Sequence, residues 1–162
     1  MKQRALIAAV VLAVLAAAWT GWSWWRAAGD DGWARGRDRD AVLAAAGPEL
    51  VTLNTIDYRN AGADVDRWIA AAGGRYGQDL EGDRQLQIER ATSTRTVSTA
   101  SLVEAAVTEL DAGAGKARLL AVLDVRVSTA GGAPAQQLNR LTVDVTRDEG
   151  TWKVGGVQAA GS

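Results

Sequence analysis

Between Ala5 and Trp25 the chain carries no charge; Lys2 and Arg4 precede the run and Arg26 closes it. About 20 uncharged residues are enough to cross a bilayer as a helix. The run ends on Trp19, Trp22, Trp24 and Trp25. Tryptophan collects at the membrane–water interface, where its amphipathic ring is half wet. Basic residues on a short leading segment hold that end in the cytoplasm. The pattern predicts a cytoplasmic N-terminus over 1–4, a transmembrane signal anchor over 5–25 and a single-pass protein of the cell membrane. Its C-terminal domain is then extracytoplasmic. A cleaved signal peptide is the rival reading, with Ala16 and Ala18 as the small residues of a cleavage site. A tryptophan directly after that site, and apolar character that continues for another turn, favour retention.

Composition narrows the chemistry. The chain has no cysteine and no histidine. That removes disulfides, thiol chemistry, the usual zinc sites, a Ser-His-Asp triad and an imidazole switch. No metal or cofactor is expected. Once Lys2, Arg4 and Arg26 are set aside, the remaining basic residues are outnumbered by the 19 acidic ones. With no basic stripe to meet phosphates, nucleic acid is not an expected partner.

Residues 26–37 read as a charged, glycine-broken juxtamembrane link, and 38–162 as one domain with a single core. Val42, Ala46, Leu50 and Leu53 follow a helical period, which Gly47-Pro48 is expected to kink or split. Val65, Trp68, Ile69, Ala72, Tyr76 and Leu80 share the face of a second helix, with Asn60 as its cap. A third helix is expected over 83–92. The period then changes from about 3.6 to 2. Strands are expected over 96–110, 116–128, 136–148 and 151–154, joined by glycine-rich turns. On the second of these, Ala117, Leu119, Ala121, Leu123, Val125 and Val127 share one face. Three helices followed by a four-stranded antiparallel meander predict an α+β domain with helices packed on a curved sheet.

The order of elements, the segment Ile56-Asp57-Tyr58-Arg59 with Asp64-Val65-Asp66 beyond it, and the closing Gly150-Thr151-Trp152-Lys153-Val154 resemble the Mce-associated membrane proteins of actinobacteria. The resemblance covers nearly the whole chain. It implies one membrane helix and an outer cone domain similar to nuclear-transport-factor-2-like (NTF2-like) or cystatin-like folds. It also implies noncatalytic accessory work beside an Mce-type lipid or sterol importer, with Mce transporter subunits and their permease as protein partners. Membrane-anchored cone domains also serve as assembly factors of secretion systems, and a small hydrophobic-ligand module is a further alternative.

Asp57, Tyr58 and Arg59 have two readings. One is a contact surface for a partner. The other, which we prefer, is a structural corner in which Tyr58 packs while the charges pair or cap the next helix. Asp64 and Asp66 suit the positive end of a helix dipole. Trp68, Leu120, Val122 and Trp152 are candidates for an apolar pocket that could hold a lipid. No catalytic residue is assigned, because Tyr58 and Tyr76 are both explained by packing and no nucleophile motif is present.

Overall fold

In a computed structural model the backbone is described over residues 2–160, and side chains at 17–22, 32 and 35–160. Helix α1 spans Lys2–Leu53. The chain divides into two compact units, Met1–Asp38 and Arg39–Ser162. Residues 26–37, expected as a glycine-broken link, are helical within α1. Three glycines scattered among good helix formers weaken a helix without having to end it.

In the first unit, Trp19 and Trp22 are exposed. The side chains of Trp24 and Trp25 lie outside the described residues. Among the described residues no helix is long and apolar enough to cross a membrane. Of the expected anchor over 5–25, the side chains of residues 5–16 and 23–25 lie outside the described residues.

In the second unit a five-stranded antiparallel sheet has the order β1-β2-β3-β4-β5. Its strands are β1 Ile56–Asp57, β2 Val97–Asp111, β3 Lys116–Ser128, β4 Ala135–Asp148 and β5 Thr151–Ala159. Four strands were expected. The extra one is only two residues long, too short to show a period. The last strand also runs five residues beyond its expected end, through Gly155-Gly156. A bulge between Asp144 and Val145 absorbs the irregularity there. Two more bulges, between Leu102 and Glu104 and between Val107 and Glu109, bend β2.

The core follows the alternation. Ala117, Leu119, Ala121, Leu123 and Val125 are buried on the inner face of β3, beside Val143, Val145, Trp152 and Val154. Val42, Ala46 and Leu50 of α1 form one cluster with Ala117, Leu119 and Ala121 of β3 and with those residues of β4 and β5. The helix is not interrupted at Pro48. Pro48 is exposed, and so is Ala44, whose carbonyl loses its helical donor there. Water can satisfy that carbonyl, while burial of Ala46 and Leu50 on either side offsets the roughly 3 kcal/mol of a mid-helix proline.

The expected second helix is two helices, α2 Ala61–Ala71 and α3 Gly74–Gly82. The break is made by β5. Gly73 N–H donates to the Val154 carbonyl at 2.8 Å, and Ala72 forms a parallel bridge with Val154. Only glycine fits, since a Cβ at 73 would lie 2.8 Å from Lys153 Cβ. Gly74 takes a positive φ of 56°. Asn60 precedes α2, but its side chain makes no capping hydrogen bond. Helix α4 spans Arg84–Thr94. A smaller core of Ile56, Ala61, Val65 and Ala91 holds α2 and α4 to β1.

Candidate functional site

The Asp57-Tyr58-Arg59 segment is a corner between α1 and α2. Asp57 pairs with Val97 at the start of β2, and Tyr58 N–H donates to the Thr96 carbonyl at 3.0 Å. Asp57 Oδ1 accepts the Arg59 N–H at 3.0 Å, capping the short 3-10 turn Tyr58–Asn60. The Arg59 guanidinium reaches Asp57 Oδ2 and lies 5.1 Å from the Tyr58 ring centroid. Asp64 is buried below this corner. One of its oxygens accepts the Asp57 backbone N–H at 2.6 Å, and the other pairs with Arg67. Asp66 faces outward, where Arg84 of α4 grips both its oxygens at 2.7 and 3.0 Å. That charged hydrogen bond holds the Asp66 carboxyl below its usual pKa. All five residues thus make bonds that set how β1, β2, α2 and α4 meet, and Arg59 is the one most open to a partner.

The four candidate pocket residues do not come together. Trp152 is buried on the inner face of β5, with Arg147 stacked 4.6 Å from its ring. Trp68 packs on the smaller core, its Nε1–H donating to the Thr55 carbonyl at 2.9 Å. Leu120 and Val122 lie on the opposite face of β3 from the core. An inward apolar pocket shared by these four is therefore not formed, because α1 fills the inner face with Val42, Ala46 and Leu50.

Leu120 and Val122 belong instead to the outer sheet face. Register pairs Leu120 with Ala106 and Thr142, Val122 with Glu104 and Arg140, and Asp124 with Ser101 and Leu138. Leu120 is 46 % exposed and Leu138 67 %; Val103, the extra residue of the first β2 bulge, is 60 % exposed. Polar groups rim this apolar strip. Arg118 bonds Asp144 at 2.9 Å and Glu109 at 3.2 Å, and Gln136 Nε2 donates to Asp124 Oδ2 at 2.8 Å. Asp124 Oδ1 is buried without a donor among the described residues. Beside the strip, β1 covers only Val97 and Ser98 of β2. Thr99–Asp111 has no strand on that side among the described residues and forms an open edge of the sheet. Sequence reasoning missed Leu138 and Val103. Leu138 was legible, since it has the parity of Arg140 and Thr142 rather than of Leu141 and Val143. Val103 was not, because a bulge breaks parity.

An antiparallel five-stranded meander with helices on one face makes the second unit an α+β domain. The chain belongs to the family described as "Uncharacterized protein Rv1363c/MT1408-like", whose profile matches residues 2–160. The fold is similar to the periplasmic domain of DotI (TM-score 0.60, 16 % identity, 76 % of this chain and 95 % of that one). It is also similar to an IcmL-like type IV secretion system protein from Legionella pneumophila (TM-score 0.58, 14 % identity, 75 % and 91 %). A third is CagV, a VirB8 homologue of the type IV secretion system of Helicobacter pylori (TM-score 0.54, 10 % identity, 76 % and 98 %). No curated protein matches the chain.

Proposed function

We propose that this protein is a noncatalytic assembly subunit of a multi-subunit complex in the cell envelope, and that it docks its partners on the outer face of the sheet. The observation that carries the reading is the strip of Leu120, Val122 and Leu138 beside the free edge of β2. Exposed apolar side chains grouped on one face and rimmed by polar groups mark interaction surfaces. An unpaired edge offers backbone donors and acceptors to an added strand. Neighbours of the same fold are named as secretion-system proteins and as a periplasmic domain, which supports the assembly-factor reading over a lipid module. On this reading the protein works outside the cytoplasm, and the exposed Trp19 and Trp22 support a site beside the membrane surface. The Mce-type importer suggested by the Asp57-Tyr58-Arg59 segment is one candidate complex, and a secretion apparatus is the other.

The test is photo-crosslinking from position 138 in the full-length protein in its native host, with a parallel probe at Leu86, an exposed leucine of α4. Adducts to envelope-complex subunits from position 138, lost on Leu120→Glu and scarce from position 86, are the expected result. Mass spectrometry then separates the two complexes: Mce subunits and permease, or secretion subunits. Equal adducts from both positions, or adducts to lipid alone, overturn the proposal.

A further inference from the structure

We infer that the helical side of the second unit carries a pocket for an arginine side chain of a partner protein. A cavity of about 370 Å³ opens where the end of α1 meets α2, α3 and α4. Leu53, Trp68, Tyr76 and Leu80 line it with aliphatic and aromatic groups, and Asp79 and Asp83 add two carboxylates. Leu53 and Tyr76 pack on the larger core and Trp68 on the smaller, so the cavity marks the seam between the two clusters. The bond from Trp68 Nε1–H to the Thr55 carbonyl fixes the indole. Burial raises the Tyr76 pKa above its usual value, so its ring is a neutral phenol at physiological pH. The volume sits at the small end of ligand pockets, which run from about 300 to 1,000 Å³, and suits one long side chain.

The charges point to a cation. Asp79 and Asp83 are four residues apart, the spacing at which like charges repel along a helical surface. Asp79 also occupies the last turn of α3, the negative end of that helix's dipole. Arg75 comes no closer to Asp79 than 3.8 Å, with both side chains largely exposed, so water screens the pair. Asp83 has no ion pair among the described residues and precedes α4 as its N-cap residue, where the positive end of the helix favours a carboxylate. A cation held against the aromatic side chains and between the two carboxylates relieves their mutual repulsion. Arginine fits better than lysine, because its planar fork stacks on a ring while donating to separate oxygens. The chain itself uses this stacking twice, with Arg59 on Tyr58 and Arg147 on Trp152. This pocket is built by helices and does not rest on the assembly reading, which concerns the sheet.

The test is a titration of the full-length protein with N-acetyl-arginine amide, followed at the Trp68 indole N–H by NMR and assigned with Trp68→Phe. N-acetyl-leucine amide is the apolar control. The expected result is a saturable shift at Trp68 with the arginine probe, about tenfold weaker in the Asp79→Asn/Asp83→Asn variant and weakened by salt. Both aspartates are exposed, so the variant is expected to keep the wild-type melting temperature. No shift at Trp68, an equal shift with the leucine probe, or undiminished binding in the variant overturns the inference.

Discussion

Burying a carboxylate costs several kcal/mol unless it is paired and hydrogen-bonded, and Asp64 is only 3 % exposed. Its two oxygens are assigned to different tasks. One satisfies the Asp57 backbone N–H, and the other takes the Arg67 guanidinium. The sequence placed Asp64 in the first turn of a helix and credited the dipole. The dipole is real but small beside the bond to Asp57, which lies seven residues away in sequence and is invisible to any local period. Asp64→Ala leaves the Asp57 N–H without its acceptor and frees Arg67. The expected loss is about 1–3 kcal/mol, read as a lower urea midpoint with an unchanged slope. A loss below about 0.5 kcal/mol would mean that water replaces the carboxylate and that the corner does not depend on it.

At the scale of elements, the helical faces and strand parities were legible wherever one period ran unbroken. Val42, Ala46 and Leu50 face the core, as do the alternating residues of β3, because burial on one side imposes the repeat. The misplaced boundaries share a cause, which is contact from a distant segment. Helix α2 stops where Val154 takes the Gly73 N–H, a bond made across the fold rather than along the helix. Two residues of β1 are a strand only because β2 lies beside them. The first bulge of β2 leaves Val103 unpaired and exposed without changing its chemistry. The candidate pocket failed for a related reason: parity put Leu120 and Trp152 on definite faces, but nothing local said that α1 would occupy the inner one. Gly73 carries the consequence. Gly73→Ala drives a methyl group against Lys153 Cβ and, at 3.4 Å, against Thr146 Cγ2. The loss expected is about 1–3 kcal/mol by thermal or urea unfolding, despite alanine's better helix propensity. Unchanged stability would show that β5 can move away and that the Gly73–Val154 bond does not define the break.

Across the second unit as a whole, one side chain ties the long helix to the last strand. Glu49 of α1 accepts the Val154 N–H at 3.0 Å, while the Val154 carbonyl accepts Gly73 N–H on its other side. The last strand is therefore held by α1 and by the α2–α3 break as well as by β4. Glu49 is half-buried, and burial pushes its carboxyl up to about 7 from 4.5, against the opposing pull of the Val154 N–H and the Lys153 charge. A carboxyl raised in the folded state binds its proton more tightly there than in the unfolded chain. Its contribution is then fully present below about pH 4.5 and is lost as pH rises through about 7. A fully shielded group with this shift would be worth about 3 kcal/mol, and the partial exposure of Glu49 reduces it to about 1–2 kcal/mol. Glu49→Gln keeps an oxygen for the Val154 N–H and removes the charge. Subtracting its pH–stability curve from that of the wild type isolates this one group from the other carboxylates. The variant should match the wild type near pH 4.5 and exceed it by about 1–2 kcal/mol at pH 8, with the difference growing across the interval between. A difference curve that is flat, or that favours the wild type at pH 8, would mean that the charged carboxylate is the better acceptor for the strand and that burial does not govern Glu49.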